Sequence, residues 1–359
     1  MPFLPYTKPW VTEADREAVA DVLWGPILTR GPTVRAFEKG VAAYCDAPFA
    51  VAFSSGTAAL HAAYYAAEVG PFDRVLTSPN TFIGTVTGAL LLGARVDFAD
   101  VDPSTGNGDF IPPKPSSRGK AVLVPVHFAG SPLPLKPLSE PLLGESDLII
   151  EDGCHAFGAS YSEGKRVGSD PLAAMTVFSF HPAKTITTGE GGVVVTHHAH
   201  YVERLLSFRN NGITYSEGLH LVSAEAITGN FHMTEMQAAL GLSQLKRTDE
   251  IVRRRGELYS YYKERLESLL PHSPHSSYHL CCLQHDFKGK RQEAMEKLKA
   301  AGIGTQIHYI PLYRQPVLKR EPLPGCEAYY EKTLTLPLFY ELKEEEIDRV
   351  VEALRKAIA

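Results

Sequence analysis

The sequence predicts an α/β protein built on a mostly parallel mixed sheet, and two observations support this prediction. Short β-rich runs bounded by turn residues recur along the chain and indicate buried strands: AVAFSS, RVLTSP, KAVLVPVHF, DLIIED, MTVFSF and GGVVVT. An alanine-rich helical stretch, TAALHAAYYAAEVG, separates the first two runs and ends at Gly70. Because alternating strands and helices form parallel sheets, we expect ligands at the carboxyl ends of these strands.

Further helices and a second domain are predicted on either side of this layer. Thr12 and Asp15 form a capping box that opens a helix ending near Trp24. TEMQAALGLSQLKRTDEIVRRRGELYSYYKERL is helical, and we interpret its basic cluster Arg253–Arg255 as a solvated face. The last part mixes strands (YHLCCLQH and GIGTQIHYIP) with the amphipathic helix EEEIDRVVEALRKAIA. We therefore predict a large domain over residues 1–245 and a smaller α+β domain over residues 246–359.

Composition excludes several classes of protein. The net charge is −5 with no basic stripe, so we expect no nucleic acid partner. No apolar run is long enough to span a membrane, and the N-terminal MPFLPYTKPW is not typical of a signal peptide. Five cysteines without CxxC spacing favour a reducing cytoplasm over a disulfide framework. HLCCLQHD and THHAH are poor matches to metal-ligand spacing, and we expect no metal.

The stretch SSGTAAL, from Ser54 to Leu60, is a candidate phosphate site. A strand ends, Gly56 permits a tight turn, and a helix begins near Thr57. The free N–H groups of a first helical turn and the helix dipole favour an anion. An ordinary capped helix, with Thr57 or Ser55 as the cap, is the alternative.

Two further stretches carry an acid and an amine. In IIEDGCHAFGA, Asp152 ends a strand, where a carboxylate can hold a proton on a ring nitrogen, and His155 can reach a neighbouring polar group. A capping aspartate and a core histidine are the alternatives. In FSFHPAKTITTGEGG, Lys184 follows a strand and, if desolvated, becomes an amine able to form a Schiff base. Ser179 can offer its hydroxyl to a phosphate.

These parts together match the requirements of pyridoxal 5'-phosphate. The aldehyde of this cofactor needs a lysine, its pyridinium nitrogen an acid, and its phosphate a helix N-terminus. Phe82, in SPNTFIGT just beyond a strand, can stack on the pyridine ring, although a core phenylalanine is the commoner case.

At this level of detail the chain resembles the sugar nucleotide aminotransferases of the DegT–StrS family. The resemblance covers nearly the whole chain and rests on ordered motifs: SSGTAALHAA, SPNTF, VPVHFAG, IEDGCHAFGA, FSFHPAKTITTGEGG, TEMQAALGLSQL and GIGTQIHYIPLYRQP. It implies the fold-type I architecture of pyridoxal phosphate transferases, similar to aspartate aminotransferase. The lysine segment is most similar to that of members acting on the route to pseudaminic acid.

The resemblance also implies roles for individual residues. Lys184 would bind the cofactor and shuttle protons, Asp152 would pair with the pyridinium nitrogen, and His155 would reach the phenolic oxygen. Gly56, Thr57, Ala58 and Ser179 would hold the phosphate. The ring of Phe82 would stack on the cofactor. His308 and Tyr309 would lie near the sugar nucleotide.

A neighbouring subunit completes the site in this family, which implies a homodimer in which Asn230 reaches the partner's phosphate. The segment TGNFHMTE departs from the family pattern, because His232 replaces a usual arginine and Gly229 an aromatic residue.

The expected reaction moves an amino group from L-glutamate to the 4-keto carbon of a UDP-linked 4-keto-6-deoxy-N-acetylhexosamine. GDP- or dTDP-linked ketosugars are alternative substrates, and a regulator that binds the cofactor without catalysis is an alternative of another class. Sugar dehydratases of the family have histidine in place of the lysine, so Lys184 argues against that activity.

Overall fold

The computed structural model describes residues 2–110, 119–139, 147–214, 223–224 and 226–359. Its main strands are β1 (Phe49–Phe53), β2 (Arg74–Thr77), β3 (Arg95–Phe98), β4 (Ala121–Val124), β5 (Leu148–Asp152), β6 (Met175–Ser179) and β7 (Gly192–Thr196). In the described chain these seven form one sheet in the order β1-β7-β6-β5-β4-β2-β3. β7 runs antiparallel to both neighbours and the other pairs are parallel. The prediction of a mostly parallel mixed sheet is confirmed.

Helices flank this sheet and continue to the C-terminus. They are α1 (Glu13–Leu23), α2 (Pro32–Tyr44), α3 (Gly56–Ala66), α4 (Gly84–Leu91), α5 (Lys136–Ser139), α6 (His200–Arg209), α7 (Glu235–Leu245), α8 (Thr248–Lys263), α9 (Arg291–Ala300), α10 (Pro324–Lys332) and α11 (Glu344–Ile358). Two short antiparallel pairs join β8 (Ile213–Thr214) to β9 (Ser223–Ala224) and β10 (Cys281–Gln284) to β11 (Thr333–Leu336). The predicted capping box is present, with the Thr12 N–H donating to Asp15 Oδ2 at 2.8 Å.

The apolar core lies in several clusters. Two of them cover the sheet, one including α3 and the other including α2. A third cluster is built by α8, β10, α9, β11 and α11, and it includes the predicted inward face of the last helix: Ile347, Val350, Val351 and Leu354. This separate cluster is compatible with a small C-terminal domain, and the boundary at residues 245–246 stays a prediction.

Some local predictions were wrong. GIGTQIHYIP does not form a strand and makes only two isolated bridges, Leu4 with Ile303 and Gln306 with Thr335. The start of this stretch bonds to the N-terminal segment and its middle to β11, so it pairs continuously with neither. The strands β3 and β11 were not anticipated. Arg255 is not solvated, since it is only 3% exposed.

Several broad properties can be stated for the described residues. None of their helices combines the length and the apolar composition that crossing a bilayer requires. The five cysteines are unpaired. No group of three or more histidine, cysteine or acidic side chains with metal-binding geometry occurs in the part of the chain described.

Candidate active site

A cavity of about 1000 Å³ lies at the carboxyl ends of the central strands. It collects most of the predicted site residues, which come from distant parts of the sequence: Gly56, Thr57, Phe82, Asp152, His155, Ser179, Lys184, His308 and Tyr309. Ala58 and Asn230 do not line it. Folding therefore brings together residues that the sequence presents as separate motifs, at the sheet edge where parallel sheets bind ligands.

Lys184 lies in the turn that follows β6 and is half-buried. Its backbone is fixed by the N–H donating to His181 O at 2.8 Å, and its amine has no hydrogen-bond partner among the described residues. Desolvation lowers the pKa of this amine, while the nearby Cys154 and Asp152 groups partly oppose the shift. A free amine with a lowered pKa, facing a cavity, is suited to attack an aldehyde.

Asp152 is the last residue of β5 and is only 3% exposed. Thr85 Oγ1 donates to its Oδ2 at 2.6 Å, and the Cys154 N–H donates to its Oδ1 at 3.1 Å. These two bonds hold the carboxylate at the cavity wall in one orientation. An oriented carboxylate there can pair with a protonated ring nitrogen.

The start of α3 meets the end of β6 at very close range. A Cβ built on Gly56 would lie 2.7 Å from Ser179 Cβ, so only glycine fits. The N–H groups of Gly56 and Thr57 have no acceptor in the described chain, as expected in a first helical turn. The Ala58 N–H already donates to Ser55 Oγ at 3.1 Å, which confirms Ser55 as the cap.

The other wall of the cavity carries neutral side chains. His155 Nε2 is 2.9 Å from the Tyr309 hydroxyl, and His308 Nδ1 is 2.8 Å from Thr335 Oγ1. Burial lowers the pKa of His155 well below its usual value and that of His308 to about 3, and burial raises the pKa of Tyr309. The two imidazoles are therefore uncharged at neutral pH and the phenol keeps its proton.

A family model describing DegT/DnrJ/EryC1/StrS aminotransferases matches residues 9–355. The chain belongs to this family. The spore coat polysaccharide biosynthesis protein SpsC of Bacillus subtilis is 33% identical, over 99% of this chain and 97% of the relative. The structure of Helicobacter pylori PseC, an aminotransferase involved in the biosynthesis of pseudoaminic acid, superposes with a TM-score of 0.90 at 28% identity, covering 99% of both chains.

A putative sugar aminotransferase of Streptococcus pneumoniae, solved in its pyridoxal phosphate form, superposes with a TM-score of 0.88 at 26% identity. That comparison covers 100% of this chain and 98% of the other. The predictions of the family, of the aminotransferase class and of the pyridoxal phosphate cofactor are confirmed.

The residues of this family member fit pyridoxal phosphate on structural grounds as well. Lys184 offers an unpartnered amine and Asp152 an oriented carboxylate in the same cavity. The free N–H groups at the start of α3 and the Ser179 hydroxyl provide donors for a phosphate. His155 Nδ1 is buried without a hydrogen-bond partner in the described chain.

Sequence reasoning missed several cavity residues. Thr85 stands three residues after Phe82, so a helical turn starting at the SPNTFIGT motif was the available signal. His279, at the start of HLCCLQHD, lines the cavity, whereas the sequence pattern of that motif bears only on metal binding. Tyr6 and Thr7 also line the cavity, and the N-terminal sequence contains no motif that predicts this.

Two of the predicted site residues, Phe82 and Asn230, are exposed. Phe82 is 58% exposed at the cavity. Asn230 is exposed and outside the cavity, and Asn230 Oδ1 accepts from the His232 N–H at 3.3 Å. His232 Nε2 contacts Asn210 Oδ1 at 3.0 Å, and burial lowers its pKa to about 4, so it does not supply the positive charge of the arginine that it replaces.

Proposed function

We propose that this enzyme transfers the amino group of L-glutamate to the 4-keto carbon of a UDP-linked 4-keto-6-deoxy-N-acetylhexosamine. The product would enter pseudaminic acid or a related surface glycan. The observation that carries the amino-transfer chemistry is the unpartnered Lys184 amine in one cavity with Asp152. The sugar is argued from the lysine segment and from relatives named for polysaccharide and pseudoaminic acid biosynthesis.

Pyridoxal phosphate, when bound, supplies an electron-accepting ring that stabilises negative charge on the carbon losing a proton. Lys184 Nζ would bind the cofactor covalently, and its free amine would accept and return the proton at the reacting carbon. Asp152 would keep the ring nitrogen protonated, and His155 would orient the ring through its phenolic oxygen.

The rest of the cofactor is held by backbone and side-chain groups at the strand ends. Gly56, Thr57 and Ala58 are proposed to offer N–H groups to the phosphate, beside the Ser179 hydroxyl. Ala58 can do so only by sharing the N–H that now donates to Ser55 Oγ. Phe82 would stack on the exposed face of the ring.

The charge balance of the cavity supports a homodimer with shared sites. Lys184 is the only lysine or arginine among the described residues that line the cavity. The proposed substrates carry a diphosphate and two carboxylates, which need more cationic or N–H donors than one chain provides. We propose that a second copy supplies them, with Asn230 reaching the partner's phosphate and His308 and Tyr309 contacting the sugar nucleotide.

An apolar surface joined to the start of α7 is suited to this contact. Leu23, Trp24, Ile27 and Leu28 are exposed, with Trp24 at 90%. The same segment is joined to the start of α7, because the Glu235 N–H donates to Leu28 O at 3.0 Å. Exposed apolar residues of this kind mark interaction surfaces. A reducing cytoplasmic location, which the unpaired cysteines favour, belongs to the same proposal.

The decisive assay mixes the enzyme, pyridoxal phosphate and glutamate with a panel of UDP-, GDP- and dTDP-linked 4-ketosugars. We expect amination of the UDP-N-acetylhexosamine derivative and release of 2-oxoglutarate. Amination of only a GDP or dTDP sugar would overturn the substrate assignment. Failure of glutamate alone to convert bound pyridoxal phosphate to its amine form, while another amino acid succeeds, would overturn the donor assignment.

A further inference from the structure

The segment Ser277–His279 contacts His155 at two points. Ser277 Oγ donates to His155 O at 2.6 Å, and the ring centroids of His279 and His155 lie 4.4 Å apart. The segment is itself fixed beside the cavity, because the Ser277 N–H donates to Gly130 O at 3.0 Å and the His279 N–H to Ala129 O at 2.9 Å. Both the backbone and the ring of His155 are therefore held from the C-terminal part of the chain.

Arg255, on α8, anchors this segment from the far side. Its Nη2 donates to His279 O at 2.6 Å and its Nε to Tyr278 O at 2.9 Å. Tyr278 has a φ of 50°, a left-handed conformation that is costly for a residue with a side chain. Such backbone strain persists only where the surroundings enforce it, and it is common at functional sites.

Two ring nitrogens in this contact lack partners. His155 Nδ1 and His279 Nδ1 are both buried without a hydrogen bond in the described chain. An unpaired buried polar atom is costly, so each needs an explanation. The two rings are adjacent, and a hydrogen bond between the nitrogens, direct after a small ring rotation or through one buried water, satisfies both.

The hydrogen bond at one ring nitrogen decides which nitrogen of a neutral histidine carries the proton. We propose that His279 is a positioning residue whose Nδ1–H donates toward His155 Nδ1, which keeps the His155 proton on Nε2. The His155 Nε2–H then donates to the Tyr309 hydroxyl oxygen, 2.9 Å away, and would be available to the phenolic oxygen of the cofactor when it binds. The inference rests on the proposed contact of His155 with that oxygen.

Three substitutions of His279 distinguish the contribution of its Nδ1–H donor from that of its ring packing. His279→Phe keeps the ring packing and removes the donor, and we expect it to weaken binding of pyridoxal 5'-phosphate about 5- to 10-fold. His279→Asn retains an N–H near the Nδ1 position and should stay within about 2-fold of the wild type. His279→Leu replaces the phenylalanine variant if the latter does not fold, as judged by circular dichroism.

His272→Asn is the matched control. His272 precedes this segment in the chain, its Nε2 lies 2.8 Å from Leu280 O, and it does not line the cavity. We expect its cofactor affinity to match the wild type. Equal losses in His272→Asn and His279→Phe would show a general loosening of the segment and overturn the inference.

A second readout needs neither substrate nor cofactor. Nitrogen-15 spectra of apo protein labelled at histidine should show the Nε2–H form of His155, assigned with His155→Gln. His279→Phe should shift that signal and His279→Asn restore it; an unchanged signal in His279→Phe overturns the inference.

If His155→Phe binds the cofactor as tightly as the wild type, the proposed His155 contact fails and the inference with it. The sugar and amino donor are absent from every arm, so an incorrect substrate assignment leaves these results unchanged.

Discussion

The two walls of the cavity differ in charge, and this difference suggests that they have different roles in the reaction. The strand-end wall includes Gly56, Thr57, Asp152, Ser179 and Lys184, and the C-terminal wall includes His279, His308 and Tyr309. The strand-end wall holds the ionisable pair of an amine and a carboxylate. Burial keeps the histidines of the C-terminal wall neutral and the tyrosine protonated. We propose that proton transfer belongs to the strand-end wall, and that the neutral wall aligns the cofactor and substrates.

The largest effect is expected from Lys184→Arg, which tests the strand-end wall directly. An arginine stays protonated, so it cannot attack an aldehyde or accept a proton from carbon. We expect turnover to fall at least about 10³-fold and borohydride to fix no cofactor on the protein. Lys165→Arg, on the exposed surface, is the control and should behave as the wild type. Turnover retained in Lys184→Arg would show that Lys184 is not the amine that binds the cofactor and transfers the proton.

Asp152→Asn should have the next largest effect. The amide keeps the shape but loses the negative charge, and its NH2 group must face either the Thr85 hydroxyl or the Cys154 N–H, both of which now donate to the carboxylate. We expect kcat to fall about 10²- to 10³-fold, measured as the rate of the glutamate half-reaction.

The control for Asp152→Asn is Asp286→Asn, an exposed aspartate whose Oδ1 accepts one backbone N–H. It should leave the rate unchanged. A rate within a few-fold of the wild type in Asp152→Asn would mean that the ring nitrogen has another partner.

How well the two walls could be predicted follows from how their residues are arranged along the chain. Asp152 and Ser179 end strands, and the start of α3 follows one, so period and turn signals were enough to place them. His279 comes from a segment whose backbone is set by Arg255, 24 residues earlier in the chain, and by Ala129. Hydrogen bonds between distant segments leave no periodic pattern, so His279 needed the structure, whereas His308 and Tyr309 of the same wall were predicted from the family resemblance.

Acidification should destabilise the neutral wall through His308. The unfolded pKa of histidine is about 6.5. The folded pKa of His308 is lowered to about 3, so the unfolded chain binds the proton first as the pH falls between these values. Stability is therefore independent of this group above pH about 6.5 and falls below it by about 1.4 kcal/mol per pH unit.

Between pH about 6 and 4, His308→Asn should reduce the pH slope of the urea unfolding free energy of apo protein by the contribution of this one group, about 1.4 kcal/mol per pH unit. His275→Asn, at an exposed position, is the control and should leave the wild-type slope unchanged. If His308→Asn keeps the wild-type slope, the acid sensitivity resides in other groups, and the prediction that buried, neutral His308 contributes to it is wrong.

The smallest effect tests the backbone of the strand-end wall. In Gly56→Ala the new methyl group would lie 2.7 Å from Ser179 Cβ, so α3 and β6 must separate at the proposed phosphate site. We expect about 1–3 kcal/mol of destabilisation from overpacking and a matching loss of cofactor affinity, read by urea unfolding and by titration with pyridoxal phosphate. Gly70→Ala is the matched control, because no atom lies within 4 Å of its built Cβ. A stable Gly56→Ala protein with normal affinity would show that this wall tolerates movement, and that close backbone contact is not what holds the phosphate.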